Sequence, residues 1–392
     1  MAIIVRAFDK GRDAKAVAGI LTGSFGTWSS EGHLPGLLRT KKSDCRNHRV
    51  VEDDGRVVAR LDVVPLDIQI GQATLHVGGI AGVCTDPTTR MKGYARVLME
   101  DAITFMRKEG YEYTLLYGIP NLYHKFGYEV VMGRHNVTIA QSEIPQTATR
   151  FKRSAMTEKD AAAGLRLYRG ETRFRDGNVA RKKMRVRRGS FKLTDDRGRM
   201  AAYAMWSGQD GSLAVHEGVA RDAGAGRELL AALRAVALGE GLDHINVKLP
   251  FGYHLTDAIR PLNAIYHRTN MHRKGCMGRV LDLAAVARKM EGEWAHLVAR
   301  SAYAGKSGGV SIRIGDETLE IRFSPGRLTA RVGRGRAGWS VAAESFSQML
   351  FGYTGVGQLA AAGGVRAVGG GGRLLEVLFP ERTSFLFATD EF

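Results

Sequence analysis

Arg90, Gly93 and Ala95 stand in the spacing R-x-x-G-x-A, immediately after an apolar run at residues 79–84 that ends in a Thr-Asp-Pro turn. Immediately after them, Ala95, Leu98, Met99, Ala102 and Met106 keep to one helical face, and Gly110 stands where a left-handed C-cap would end the helix. The pattern predicts a strand, a glycine-containing loop and a helix N-terminus. Such a loop presents backbone N–H groups without intrahelical partners at the positive end of a helix dipole, and a small residue at position 95 lets an anion come close to the backbone. The chemistry suited to that place is phosphate binding.

The flanking residues extend the pattern. A strand is expected at residues 113–117, followed by Tyr123-His-Lys-Phe-Gly127-Tyr128. Together, loop and flanks resemble the acyl-CoA pyrophosphate loop, Q/R-x-x-G-x-G/A, and the Tyr-x-[RK]-Phe-Gly-[YF] motif of the Eis-type (enhanced intracellular survival-like) GCN5-related N-acetyltransferases. The resemblance implies acetyl-CoA as co-substrate and no metal. Arg90, Met91, Lys92, Gly93, Tyr94, Ala95 and Arg96 would hold the pyrophosphate, and main-chain groups of Ala81, Gly82 and Val83 the pantetheine arm. It also makes Tyr123 the proton donor to the departing thiolate and the α-carboxylate of Phe392 a catalytic group beside the acceptor amine, with Glu391 adding a second negative charge. Phe25, Trp28 and His33 become candidates for the acceptor wall, with core packing as the other reading of Phe25 and Trp28. Where some relatives carry an acidic residue just after Ser-Phe, this chain reads Gly26-Thr27-Trp28, a departure that argues against polyamine-like recognition.

Composition limits the alternatives. With 392 residues, 44% of them hydrophobic, the chain is long enough for two or three domains with real cores. Fifty-seven Lys+Arg against 40 Asp+Glu give a net charge of +17, densest in the run Arg181-Lys-Lys-Met-Arg-Val-Arg-Arg188. That run reads as a solvated face; no helix-turn-helix, zinc-finger or RNP-like pattern accompanies it, so nucleic acid is not the expected partner. A positive field would repel a polycationic amine at long range. Cys45, Cys84 and Cys276 are too few and too widely spaced for a disulfide framework or a zinc site, and Cys84 reads as a small buried hydrophobe. No run approaches the roughly 18 apolar residues of a membrane span, and the expectation is a cytoplasmic protein without membrane contact.

The elements that position these residues follow in order. A strand at 3–6 and a helix at 13–21 precede a polar segment at 24–47. Hairpins follow at 50–64, around Asp53-Asp54-Gly55, and at 66–80, around Gly71-Gln72. After a linker at 140–150, strands at 203–205 and 212–219, a helix at 226–238 and the phrase at 241–250 echo the first unit, but Ala220-Arg-Asp-Ala-Gly224-Ala-Gly226 lacks the phosphate-loop spacing. A strand at 277–281, a helix at 284–290, three alternating strands between 310 and 332, and the closing phrases Leu350-Phe-Gly-Tyr353 and Glu391-Phe392 resemble the sterol-carrier-like C-terminal domain of the same family. The expected fold is therefore α/β (α+β): an acetyltransferase domain at 1–145, a degenerate second copy at 146–276 and a sterol-carrier-like domain at 277–392. The expected function is acetyl transfer from acetyl-CoA to a primary amine of a small molecule or lysine side chain by direct attack in a ternary complex, in a homo-oligomer that the resemblance makes a trimer or hexamer. A non-catalytic CoA-binding regulator or scaffold, with a lipid- or partner-binding C-terminal domain, is the alternative.

Overall fold

The computed structural model describes residues 3–27, 32–147, 149–368 and 372–392. Its first part comprises β1 (Ile3–Ala7), α1 (Lys10–Phe25), α2 (Leu34–Leu38), β2 (His48–Asp53), β3 (Arg56–Ile70), β4 (Ala73–Thr85), α3 (Tyr94–Lys108), β5 (Tyr113–Gly118), β6 (Glu129–Met132) and β7 (Arg134–Ala140). Asp9 starts α1 by accepting the N–H groups of Gly11 and Arg12. The two strand segments expected on either side of Pro65 form one strand, β3. Proline is tolerated in it because β2 starts opposite Asp62 and the bridge to Val179 is made only at Ile68, so position 65 has no ladder to break on that side.

The second part holds β8 (Lys152–Ala155), α4 (Ala161–Thr172), β9 (Ser190–Thr194), β10 (Met200–Gln209), β11 (Ser212–Ala220), α5 (Ala223–Gly239), β12 (His244–Val247), α6 (His254–Ile259), β13 (Ala264–Thr269) and β14 (Gly275–Val280). The last holds α7 (Leu283–Ala299), β15 (Gly308–Ile314), β16 (Glu317–Ser324), β17 (Arg327–Gly333), β18 (Trp339–Val341), α8 (Ala343–Leu350), α9 (Val356–Ala361), β19 (Val365–Ala367) and α10 (Gly372–Leu378). No helix among the described residues is long and apolar enough to cross a membrane.

Three sheets result. The first has the order β1-β2-β3-β4-β5-β14-β6, the second β13-β7-β12-β11-β10-β9-β8 and the third β17-β16-β15-β18-β19. Taken from the β8 edge, the second repeats the first strand for strand, down to one parallel pair, β11 with β12, matching β4 with β5. One strand of each is exchanged: β7 lies between β12 and β13, and β14 lies between β5 and β6. The boundary expected at 276/277 therefore falls inside a strand of the first sheet, and β7, assigned to residues 1–145, pairs in the second. Strand pairing is non-local, so chain order does not reveal which sheet a strand joins.

In the third sheet Val310, Ile312, Ile314, Leu319, Ile321 and Phe323 alternate onto a buried face that packs with Trp294 of α7 and Phe346 of α8. This core is continuous with Ile68, Leu75, Val77 and Tyr113 of the first sheet. The final residues run as an extended tail between the units. Arg382 binds Asp176 at 2.8 Å and Glu293 at 2.6 Å, the N–H of Phe385 donates to the carbonyl of Asp176, and the Asn178 amide donates to the carbonyl of Phe385.

Candidate active site

Helix α3 begins as the spacing predicts. Gly93 is its N-cap, in the left-handed region at φ 83°, and no side chain bonds the first N–H groups of the helix. The glycine is needed for its backbone angle rather than for space, since a Cβ there would meet nothing within 4 Å. Met91 is also left-handed, at φ 68°, and fully exposed. Arg90 and Lys92 are exposed, with no ion-pair partner among the described residues. Tyr94 turns inward and its hydroxyl donates to Asp53, whereas Arg96 pairs with Glu100 at 2.9 Å on the surface. The result is a ring of free donors around a helix N-terminus, with two uncommitted cations beside it. The matching helix of the second unit differs: the carboxylate of Asp222 accepts the N–H of Ala225 at 2.8 Å, and the backbone of His254 closes over Gly226. An anion there would meet a carboxylate.

Strands β4 and β5 pair from Val77/Tyr113 to Ile80/Leu116 and then part, so Ala81, Gly82 and Val83 have no partner on the β5 side. A bulge against β3 falls at the same place, between the pairs Asp62/Ala81 and Arg60/Cys84. Gly82, at φ 55°, is required there because a side chain would run into the guanidinium of Arg60. Arg60 is buried and binds Asp62, which also accepts from His48. Burial pushes the Asp62 carboxyl up, but Arg60 and His48 outweigh it and hold the group below its usual range. This trio was not singled out from the sequence; it underpins the bulge.

Tyr123 and the chain terminus flank the opening. Tyr123, 6% exposed, lies in a one-turn 3-10 helix, Tyr123–Phe126, with its ring against Gly118, where a Cβ would stand 3.2 Å from Cδ2. Burial pushes its phenol up to about 12. Phe392 lays its ring over Gly79 of β4 and meets Tyr117 edge-on at 5.9 Å between centroids. Because Tyr117 and Gly118 are consecutive in a strand, the two groups approach from opposite faces of the sheet.

Residues 11–131 match the acetyltransferase (GNAT) domain family. The first domain belongs to the GNAT acetyltransferases. That domain makes the protein an N-acetyltransferase. Its likeness to solved structures spans the whole chain. A GCN5-related N-acetyltransferase from Kribbella flavida is 18% identical, with a TM-score of 0.76, covering 100% of this chain and 98% of that one. Another from Anabaena variabilis is 14% identical at TM-score 0.78, and Eis1 from Mycobacterium abscessus is 16% identical at 0.70, each covering 100% of both chains. The three-sheet architecture is thus Eis-like in fold. No curated protein matches the sequence.

Around the GNAT domain, the tail is held by a residue misread from the sequence. Arg181, in the basic run expected to be solvated, is 8% exposed. Its guanidinium donates to Glu217 at 2.8 and 2.9 Å, to Asp390 at 2.7 and 2.8 Å and to the Thr389 hydroxyl at 2.8 Å, and it stacks on Tyr168. Burial would depress the Arg181 cation, but Glu217 and the neighbouring acceptors raise its pKa far above the ordinary value. Two residues beyond that clamp stands Phe392. Glu391 is exposed and faces the hydroxyl of Tyr117, whose pKa is raised by burial, and further by Cys276 and that carboxylate. A pocket of about 330 Å³ opens beside it between the first sheet, the second sheet and the tail. Of the expected acceptor wall, Phe25 is 45% exposed at the end of α1, His33 sits at the start of α2 with Nε2 2.8 Å from the Gly26 carbonyl, and Trp28 lies outside the described residues. Cys84 is buried and its thiol is pushed up to about 11 by that burial, which leaves no nucleophile there.

Proposed function

We propose that the GNAT domain moves the acetyl group of acetyl-CoA to the primary amine of a small molecule or lysine side chain, by direct attack within a ternary complex. The observation that carries this reading is that, just where β5 parts from β4, Phe392 and the buried Tyr123 reach its consecutive residues Tyr117 and Gly118 from opposite faces of the sheet. The free donors of residues 91–95, with Arg90 and Lys92, suit the pyrophosphate; the backbone of Ala81, Gly82 and Val83, without a partner on the β5 side, suits the pantetheine arm and the thioester carbonyl.

In the reaction a C–N bond forms as the C–S bond breaks, the thiolate gains a proton and the amine loses one. A lysine-like amine of pKa ~10.4 is neutral in only about one molecule in a few thousand at pH 7, roughly 5 kcal/mol of barrier unless its pKa is lowered. In this reading the terminal carboxylate of Phe392 binds the ammonium, and its proton leaves through the carboxylate to water. Glu391 adds charge at the same end. Tyr123 stays protonated at neutral pH and donates to the sulfur. Its raised pKa makes it a weak acid toward a free thiol of ~8.5, yet the same desolvation raises the thiol, which narrows the gap. The last unit, whose element order resembles a sterol-carrier-like domain, serves as the scaffold that brings the tail back to the first sheet.

A short peptide appended after Phe392 moves the free carboxylate away and tests the reading. With acetyl-CoA and a panel of amines, thiol release should slow by on the order of 10² or more while acetyl-CoA affinity is unchanged. Equal turnover in the extended protein removes the terminus from the mechanism, and thiol release that no amine accelerates in the native protein favours a CoA-binding regulator.

A further inference from the structure

We propose that the acceptor is a small primary amine that also carries a carboxylate, with Arg134 and Lys248 forming its anion subsite. The inference rests on the transfer reading above and deepens it. The pocket that reaches Glu391, the residue before Phe392, has a volume of about 330 Å³, at the small end of ligand sites. Tyr117 and Glu391 line it on the side of Phe392, while Arg134, at the start of β7, Lys248, just beyond β12, and His267 of β13 line it from the second sheet.

Charge decides what fits. Three cations that hold the tail or stand beside it are committed: Arg181 to Glu217 and Asp390, Arg382 to Asp176 and Glu293, and Lys182 to Asp67. Arg134 and Lys248 have no ion-pair partner among the described residues; Lys248 has a single 3.4 Å contact with the Gln209 side chain. Both cations are thus available to a ligand. Glu391 is the one carboxylate side chain among the pocket's described lining residues. His135, which also lines it, is buried and kept neutral down to about pH 4, so it adds no charge at neutral pH.

A diamine bound by its reacting end at Glu391 would set its second ammonium against Arg134 and Lys248, a like-charge contact that disfavours it. A plain alkylamine would leave those cations unused. An amine with a carboxylate satisfies both ends, and its alkyl portion has Met132, Phe385 and Leu386 to lie against. At a net charge of +17, an acceptor with no net positive charge also avoids the long-range repulsion that a polyamine would meet.

The test compares ω-amino acids with n-alkylamines of matching length, from glycine to 6-aminohexanoate, using acetyl-CoA and the full-length protein. At the best length the amino acid should exceed its alkylamine by about ten- to a hundred-fold in kcat/KM, the range expected of one charge-assisted contact. Arg134→Gln combined with Lys248→Gln should bring that ratio toward one, and Arg134→Lys should keep most of it. Because the readout is a ratio within each protein, a general loss of active enzyme does not imitate the result. Alkylamines or diamines that match or outdo the amino acids in the native protein would overturn the inference while leaving the transfer reading intact. Should no amine be turned over, the transfer reading fails, and calorimetric binding of 5-aminopentanoate decides the subsite: binding that disappears in the double variant supports it, and binding indifferent to those residues overturns it.

Discussion

Replacing Gly79 by alanine displaces the end of the chain without altering the phosphate loop. Gly79 pairs with Val64 on one side and Leu115 on the other and has no positive φ, so alanine takes the same backbone without strain. Its Cβ, however, would stand 2.7 and 2.8 Å from Cε2 and Cζ of the Phe392 ring. Carbon atoms rest at about 3.5–4.0 Å, so the ring must retreat by about 1 Å. Tyr117, in edge contact on the same face, limits the retreat within the site, and the terminal carboxylate moves with its residue. A misplacement of about 1 Å at a reacting centre costs on the order of 10²-fold, equivalent to roughly 2.7 kcal/mol of barrier. Overpacking at this site should cost at most about 1–3 kcal/mol of stability, which a melting curve will separate from the effect on rate. The assay is thiol release at saturating acetyl-CoA and amine, with acetyl-CoA affinity measured by calorimetry. The expected result is a fall in kcat of about 10²-fold with acetyl-CoA affinity changed by less than about twofold. A Gly79→Ala protein with native kcat would show that the position of Phe392 does not matter to the chemistry.

Three further outcomes are expected. Tyr123→Phe keeps the ring and removes the proton, so kcat should fall by about 10² to 10⁴ with acetyl-CoA affinity unchanged; a variant with native turnover would remove the phenol from the mechanism. Gly93→Glu should abolish acetyl-CoA binding by placing a carboxylate against the pyrophosphate, whereas Gly93→Asn, which tolerates the left-handed backbone, should still bind; equal calorimetric titrations for the two would contradict the phosphate-loop assignment. His135 has its folded pKa depressed to about 4 by burial, so between pH 6.5 and 4 the unfolded chain takes up a proton that the native protein does not. Its stabilising contribution is therefore complete above about 6.5 and declines by up to about 3 kcal/mol as pH falls to 4, and denaturant melts of the native protein and His135→Gln should diverge over that window; parallel curves would refute the assignment.

What the sequence disclosed was local. The helix start marked by Arg90, Gly93 and Ala95 could be read because its glycine N-cap is written within six residues, and the helix that follows, with Gly110 in the left-handed conformation after it, obeys its own periodicity. The alternation at 310–332 likewise announced three strands with one buried face. Arg181 was misread for the opposite reason. Its neighbours are basic, and the acids that bury it, Glu217 and Asp390, lie 36 and 209 positions away, so nothing near it in the chain marks it as paired. Tyr117 and Gly79 were read as parts of strands. Their relation to Phe392 depends on where a tail lands, which periodicity does not encode.

The exchange of β7 and β14 links these long-range features. A GNAT sheet that kept its own strands would offer the acceptor a site made from its own loops. Here β7 leaves the first sheet at Arg134 and carries His135 and Asn136 to the pocket as part of the second, while β14 brings Cys276 in beside Tyr117. The tail then crosses the same junction, with Phe385 and Phe387 buried in the core of the second unit and Arg181 fixing Asp390 two residues before the end. The pocket is therefore a property of the joined units, whereas the loop at residues 90–95 belongs to the first alone. That division explains why the proposed donor site was legible in one short motif: it needs one helix N-terminus and one parted strand pair. The acceptor subsite proposed above draws on Arg134, Lys248 and Glu391, residues from three distant parts of the chain that line one pocket because strands change sheets.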